Sequence, residues 1–197
     1  MKAMNKGYTS RDFVFFVRQI VAFHKNEMTL LPECAFRCVR ISGVLMNFLT
    51  NFALLLKSKK MYPADIVIPM KEELTENGFS ELKTPEEVVS QLDQKGTTLV
   101  MINSVCGCSA GTARPGVLMA VANATKKPEH LTTSFAGFDI DAVRTLRERL
   151  LPYPPSSPSV ALFKDGQLVH MIERHHIEGR SAQMIAHNLI AAFDEYC

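Results

Sequence analysis

Two cysteines separated by a single glycine, Cys106-Gly107-Cys108, are the residues of this chain best suited to chemistry. They follow an apolar, β-branched run, Thr97–Asn103, and precede a stretch rich in small residues that continues as a predicted helix over 107–127. A thiol at the start of a helix has its thiolate stabilised by unpaired backbone N–H groups and by the helix dipole, which lowers its pKa. Ligands reach an open α/β sheet at the carboxyl ends of its strands. The pattern therefore predicts accessible, redox-active thiols at the edge of a sheet.

The cysteine pair has two alternative interpretations. One is a pair of buried, inert cysteines, which the small and partly polar neighbours Ser109 and Gly111 disfavour. The other is a metal site, in which Cys106 and Cys108 would be two soft ligands. Since no second Cys/His pair lies at a spacing near the first, we predict no metal. The histidines that could complete such a site are His130, His170, His175 and His176.

The elements that must position these thiols alternate between helices and strands from residue 61 onwards. Thr84-Pro85-Glu86-Glu87 marks one helix start, with a Thr cap, proline in the first turn and acids near the positive end of the dipole. A bend is expected at Arg114, because a residue before proline avoids the α region. This order predicts an α/β fold with a mixed sheet covered by helices. The predicted helices are 64–76, 84–94, 107–127, 139–150 and 178–196, and the strands are 97–103, 131–135, 159–164 and 168–173.

Charge divides the chain into two parts. Residues 1–60 carry a net charge of +7, and residues 61–197 carry −5, so the whole chain is +2 and gives no argument for a nucleic-acid partner. The apolar runs 13–23 and 41–56 are too short to span a bilayer. We predict that residues 1–60 are an extension outside the functional domain, with Met61 as the natural start and no membrane association; a peripheral membrane anchor is the alternative. Within that segment, Cys34 and Cys38 are interpreted as small buried apolar residues.

Composition excludes several classes of protein. A chain of 197 residues with 47% hydrophobic and 21% charged residues fits one folded domain with an extension, and neither a disordered chain nor a multi-span membrane protein. Five cysteines are too few for a disulfide-stapled secreted scaffold, and their number is odd. With no cleavable signal peptide visible, we expect a cytoplasmic protein. Cys197, at the terminus, is interpreted as an incidental thiol, and a third exchangeable thiol is the alternative.

A proline directly before a predicted strand is a second feature. Ser157-Pro158 precedes the apolar run 159–164 and its Asp165-Gly166 turn, an arrangement that resembles the thioredoxin fold. In that fold a cis proline precedes this strand and faces the redox cysteines. The resemblance implies that Pro158 is cis and that Ser157 offers backbone contacts to an extended substrate. An ordinary trans proline at a strand start is the alternative.

Several stretches together resemble the bacilliredoxin family, and the similarity covers residues 61–197. The family is thioredoxin-like, has a Cys-Gly-Cys site and removes bacillithiol from mixed disulfides on proteins. The resemblance therefore implies a thioredoxin-like mixed sheet flanked by helices and no cofactor, with bacillithiol as co-substrate. The stretches that carry it are Met61-Tyr62-Pro63, Pro69-Met70-Lys71-Glu72-Glu73-Leu74, Asn103-Ser104-Val105-Cys106-Gly107-Cys108 and Ala113-Arg114-Pro115-Gly116.

The same resemblance implies roles for individual residues. Cys106 is the expected nucleophile and Cys108 the resolving thiol. Arg114 is the expected ligand of bacillithiol's malate, because a guanidinium binds a carboxylate through two hydrogen bonds; a solvated charge on the helix flank is the alternative. The expected partners are bacillithiolated proteins, a low-molecular-weight thiol and, for recycling, a flavin disulfide reductase. A general disulfide reductase or isomerase, and a non-enzymatic thiol or metal-binding redox sensor, are the alternative functions.

Overall fold

A five-stranded mixed sheet organises residues 60–197, the part of the chain that the computed structural model describes. The strand order is β1-β3-β2-β4-β5. Strands β1, β3 and β2 run parallel, whereas β4 is antiparallel to β2 and β5 is antiparallel to β4. The strands are β1 (Ser80–Glu81), β2 (Thr97–Asn103), β3 (His130–Phe135), β4 (Ser159–Lys164) and β5 (Gln167–Ile172).

Helices cover both faces of the sheet. They are α1 (Ala64–Thr75), α2 (Pro85–Leu92), α3 (Arg114–Asn123), α4 (Ile140–Arg149), α5 (Arg174–Ile177) and α6 (Ala182–Tyr196).

Successive side chains of the central strand β2 point to opposite faces of the sheet, and every one of its residues is buried. Leu99 and Met101 pack in the core that holds α3 and α6. Val100 and Ile102 pack in the core that holds α2 and α4. A strand covered on both faces needs the continuous apolar run that the sequence supplies here.

The strand order and directions confirm the predicted thioredoxin-like mixed sheet flanked by helices. Helix α2 begins as predicted: the Thr84 hydroxyl accepts the Glu87 N–H at 3.3 Å, and the Glu87 carboxylate accepts the Thr84 N–H at 3.2 Å. The short elements β1 and α5 were not predicted. Helix α6 begins later than predicted, because the chain turns at Gly179, with φ of +73°, and Ser181 then caps the new helix.

Three chain segments meet at one edge of the sheet. Ile102, near the end of β2, pairs with Ser159 at the start of β4. Val160 of β4 pairs with Ile172 at the end of β5. The residues that follow β2, precede β4 and follow β5 therefore share this edge, which is where the cysteine pair, Pro158 and α5 lie. We call it the thiol edge.

The predictions for the segment 1–60, including those for Cys34 and Cys38, lie outside the described residues except at Lys60. Among residues 60–197, none of the helices combines the length and the apolar character needed to cross a bilayer.

Candidate active site

Asn103, the last residue of β2, is fully buried and holds the thiol edge in place through its side-chain hydrogen bonds. Its side-chain oxygen accepts the Ser104 N–H and the Ser109 hydroxyl, each at 2.8 Å. Its amide nitrogen donates to the Met70 carbonyl at 3.0 Å. One side chain thus ties the end of the central strand to α1 and to the turn that carries the cysteines.

Cys106 lies in that turn and is partly exposed. Its sulfur is 3.2 Å from the Ser104 hydroxyl and accepts the Ser109 N–H at 3.3 Å. The chain becomes helical at Gly107 and runs as a π-helical segment over Ser109–Ala113. The expectation that Arg114 avoids the α region is wrong: its backbone is helical, with φ of −58° and ψ of −54°, and its N–H donates to the Ser109 carbonyl, five residues earlier. Such π segments are frequent at functional sites.

The two thiols differ in acidity. Partial burial raises the pKa of Cys106, but hydrogen bonds from Cys108, Ser104 and the Ser109 N–H, with the charge of Arg174, outweigh it and bring the pKa below its ordinary value. Burial raises the pKa of Cys108, and the hydrogen bond and negative charge of Cys106 raise it further. Cys106 is therefore the thiol that ionises first, and Cys108 keeps its proton.

This difference predicts selective alkylation. At neutral pH iodoacetamide is expected to modify Cys106 well before Cys108, because the thiolate is the reacting species and a lowered pKa increases its fraction. As pH rises, the Cys106 rate levels off first, whereas the Cys108 rate keeps rising. Peptide mass spectrometry after short exposures at a series of pH values measures both rates. Equal rates, or faster modification of Cys108, would contradict the assignment.

The structure corrects the expectation for Arg114. The residue is only 2% exposed, so it is neither a solvated charge nor open to a ligand's carboxylate. Its guanidinium binds both carboxylate oxygens of Glu73. It also donates to the Asn103 side-chain oxygen at 3.1 Å, the Ser109 hydroxyl at 3.4 Å and the Ser104 carbonyl at 3.5 Å. Arg114 therefore holds the turn that carries the cysteines in place, and its burial keeps it from binding bacillithiol.

The Ser157–Pro158 peptide bond is cis, as the resemblance to the thioredoxin fold implied. Pro158 is buried and Ser157 is partly exposed. The Ser157 carbonyl accepts a hydrogen bond from the Arg174 guanidinium at 3.5 Å, and the Ser156 hydroxyl accepts the Arg174 N–H at 3.4 Å. The proline loop is thus tied to α5, the helix that follows β5.

Arg174 is the charged residue that the sequence analysis missed. It is exposed, donates to the Glu178 carboxylate at 2.6 Å, and its charge favours the thiolate forms of both Cys106 and Cys108. One feature of the sequence could have indicated Arg174: it directly follows a predicted strand that ends at the same edge of the sheet as β2.

The histidines of the metal alternative are not gathered around the thiols. His130 pairs with Thr98 at the other end of β2, and the His170 ring contacts the Asn188 side chain at 2.7 Å. Within residues 60–197, the one group close enough to share a metal ion is Glu173, His175 and His176, and it contains neither cysteine.

Cys197 is far from the other two thiols. It hydrogen-bonds to the Thr97 side chain, at the first residue of β2, whereas Cys106 follows the last. Seven residues of strand separate these ends by about 20 Å. Burial raises the pKa of Cys197, despite the opposing hydrogen bond from Thr97 and the charges of Lys164 and Lys126. Cys197 therefore cannot exchange with the Cys106–Cys108 pair within one molecule.

Comparisons with known proteins give the following similarities. A family model described as disulphide isomerase matches residues 62–197. A bacilliredoxin of Cytophaga hutchinsonii is 58% identical over 135 residues, covering 68% of this chain and 99% of that protein. A bacilliredoxin of Geobacillus kaustophilus is 50% identical over 137 residues, covering 69% of this chain and 94% of that protein. Mitochondrial thioredoxin 3 of Saccharomyces cerevisiae, in its oxidised form, is 14% identical with a TM-score of 0.43, covering 62% of this chain and 98% of that one.

Proposed function

Since the chain belongs to the bacilliredoxin family of thiol–disulfide oxidoreductases, we propose that it removes bacillithiol from mixed disulfides on cytosolic proteins. The observation that carries the proposal is the difference in pKa between the two thiols, lowered at Cys106 and raised at Cys108. The Cys106 sulfur receives hydrogen bonds that favour its thiolate, and the neighbouring Cys108 is held protonated. This difference in acidity suits a mechanism in which Cys106 attacks the substrate disulfide and Cys108 reacts in a later step.

In the first step the Cys106 thiolate attacks the bacillithiol sulfur of the mixed disulfide. The bond between the two substrate sulfurs breaks, the substrate protein leaves as a thiolate that takes up a proton, and Cys106 becomes bacillithiolated. The Ser109 N–H and Ser104 hydroxyl, which hold the thiolate, must release it as the new S–S bond forms. A thiolate whose pKa lies near ambient pH combines ionisation with nucleophilicity.

In the second step Cys108 gives up its proton and attacks the Cys106 sulfur. Bacillithiol leaves as a thiol, and a Cys106–Cys108 disulfide forms. Two molecules of a low-molecular-weight thiol, which leave as their disulfide, or a flavin disulfide reductase then supply the two electrons that restore both thiols. Alternatively, free bacillithiol attacks bacillithiolated Cys106 directly and leaves as its own disulfide. Neither route calls for a bound cofactor.

The substrate protein is proposed to lie along the cis-proline loop. Ser157 precedes the buried Pro158, is partly exposed, and borders the same edge as the thiols. Its backbone N–H suits an extended peptide, because main-chain hydrogen bonds recognise a strand without regard to its sequence. The enzyme then selects its substrates by the low-molecular-weight thiol that they carry rather than by the sequence of the substrate protein.

A general disulfide reductase or isomerase is the second candidate. The description of the matching family model as disulphide isomerase favours it. The two functions differ in the sulfur that is attacked: one belongs to a small thiol, the other to a cysteine within a peptide disulfide.

A rate comparison on three substrates separates these functions. One reporter protein with a single cysteine is prepared as its bacillithiol and glutathione mixed disulfides, and a second carries a peptide disulfide. We expect release of the protein thiol to be fastest from the bacillithiol adduct, because the small thiol is the part recognised. Equal rates on the bacillithiol and glutathione adducts, or faster reduction of the peptide disulfide, would replace this proposal with the second candidate.

A further inference from the structure

A cavity of about 270 Å³ lies between β5 and the helices α5 and α6. Its polar lining consists of His170, His176, Arg180 and Asn188, and none of its lining residues is acidic. Met171 and Met184 contribute to its apolar lining. The mechanism proposed above makes no use of this cavity.

The polar lining offers hydrogen-bond donors. The His176 Nδ1 accepts the Glu173 N–H at 3.3 Å, so the ring proton is on Nε2, where it can be donated. The Asn188 side-chain oxygen is 2.7 Å from the His170 ring nitrogen and must be the acceptor, since a carbonyl oxygen has no proton to give. The NH₂ group of Asn188 is thereby left as a donor.

Arg180 adds a charge. Within residues 60–197 its guanidinium forms no hydrogen bond or ion pair. Of the neighbouring carboxylates, that of Glu178 accepts from Arg174, whereas that of Glu173 lies within 4.8 Å of the His176 ring and does not line the cavity. A cavity with one uncompensated cation, several donors and no acidic group favours an anion.

The cavity borders the thiol edge. The Arg180 carbonyl accepts the Thr112 hydroxyl at 3.1 Å, and Thr112 belongs to the π-helical segment directly after the cysteine pair. His176 lies on α5, the helix whose Arg174 favours the thiolates of both cysteines. The cavity lining is therefore joined through Thr112 to the segment that follows the cysteine pair, and through α5 to Arg174.

We propose that this cavity binds a carboxylate of the low-molecular-weight half of the mixed disulfide, with Arg180 as the charged ligand. The inference rests on the proposed function and deepens it, since it names the part of the protein that distinguishes an anionic thiol from a neutral one. It gives Arg180 the role that the buried Arg114 cannot fill. Asn188 and His176 add hydrogen bonds, and the methionine side chains contact the carbon skeleton.

The test compares bacillithiol with its dimethyl ester, which keeps the carbon skeleton but replaces both malate carboxylates with neutral methyl esters. The same reporter protein carries each thiol as a mixed disulfide, and kcat/KM is measured for both. In the Arg180→Gln variant the ratio of the acid to the ester value is expected to fall about tenfold, the usual effect of losing a partly exposed hydrogen bond to a charged group. Arg144→Gln, which removes one exposed charge from α4 on the opposite face of the sheet, should leave the ratio unchanged.

A binding measurement without turnover judges the inference separately from the proposed function. Malate alone is titrated into the wild-type chain and into Arg180→Gln while the NMR signals of the Asn188 side chain and the His176 ring are followed. We expect saturable shifts in the wild type and about tenfold weaker binding in the variant. No saturable shift, or equal binding by the two proteins, would overturn the anion site. Failure of the wild type to release either thiol would instead count against the proposed function.

Discussion

Cys106→Ser is expected to stop release of bacillithiol from protein mixed disulfides, with a loss of about 10³-fold or more, since it removes the attacking thiolate. Cys108→Ser is expected to react once and then to accumulate on Cys106 an adduct heavier by one bacillithiol. Its first step needs only the Cys106 thiolate, whereas its resolving thiol is missing. Intact-mass spectrometry after exposure to a bacillithiolated protein, with the released protein thiol measured in parallel, shows both results.

Cys197→Ser is the matched control for this experiment. It removes a thiol from the far end of β2 and should behave as the wild type does. If an adduct accumulates on the Cys106→Ser variant instead, Cys108 is the nucleophile and the assignment is wrong. If both single variants turned over normally, the site would have to be sought elsewhere in the chain.

Local signals were enough to predict the elements that build the thiol edge. The run Thr97–Asn103 was predicted as a doubly covered strand, and it forms β2 over the same residues. The capping residues Thr84 and Glu87 interact over three positions of sequence, so their effect does not depend on the rest of the fold. The same is true of the Asp165-Gly166 turn, where both residues adopt positive φ between β4 and β5.

Long-range contacts are what the sequence could not predict. Arg114 was expected to bind bacillithiol's malate or to be a solvated charge, and both expectations need an exposed guanidinium. Its partner Glu73 is 41 residues earlier in the chain, and only the packing of α1 against α3 brings the two together. The helix α5 was missed for a related reason: four residues carry too short a pattern to show periodicity.

The buried network around Arg114 should affect stability and thiol acidity together. Arg114→Leu removes the ion pair with Glu73 and the hydrogen bonds to Asn103, Ser104 and Ser109, and it leaves the Ser104 carbonyl without its donor. We expect the free energy of unfolding to fall by about 2–4 kcal/mol. Because Ser104 and Ser109 also hold the Cys106 sulfur, loosening them should raise the Cys106 pKa towards its ordinary value.

Urea unfolding measures the stability change, and thiolate absorbance as a function of pH measures the acidity. Arg149→Leu is the matched control, because its ion pair with Asp93 is at the surface, where such pairs contribute less than about 1 kcal/mol. Arg114→Lys keeps the charge but cannot reach Glu73 and Asn103 at once, so it should lie between Arg114→Leu and the wild type in both measurements. If the stability falls while the Cys106 pKa stays unchanged, Arg114 stabilises only the fold. The low pKa of Cys106 then comes from the hydrogen bonds of the turn and from the charge of Arg174, without a contribution from Arg114.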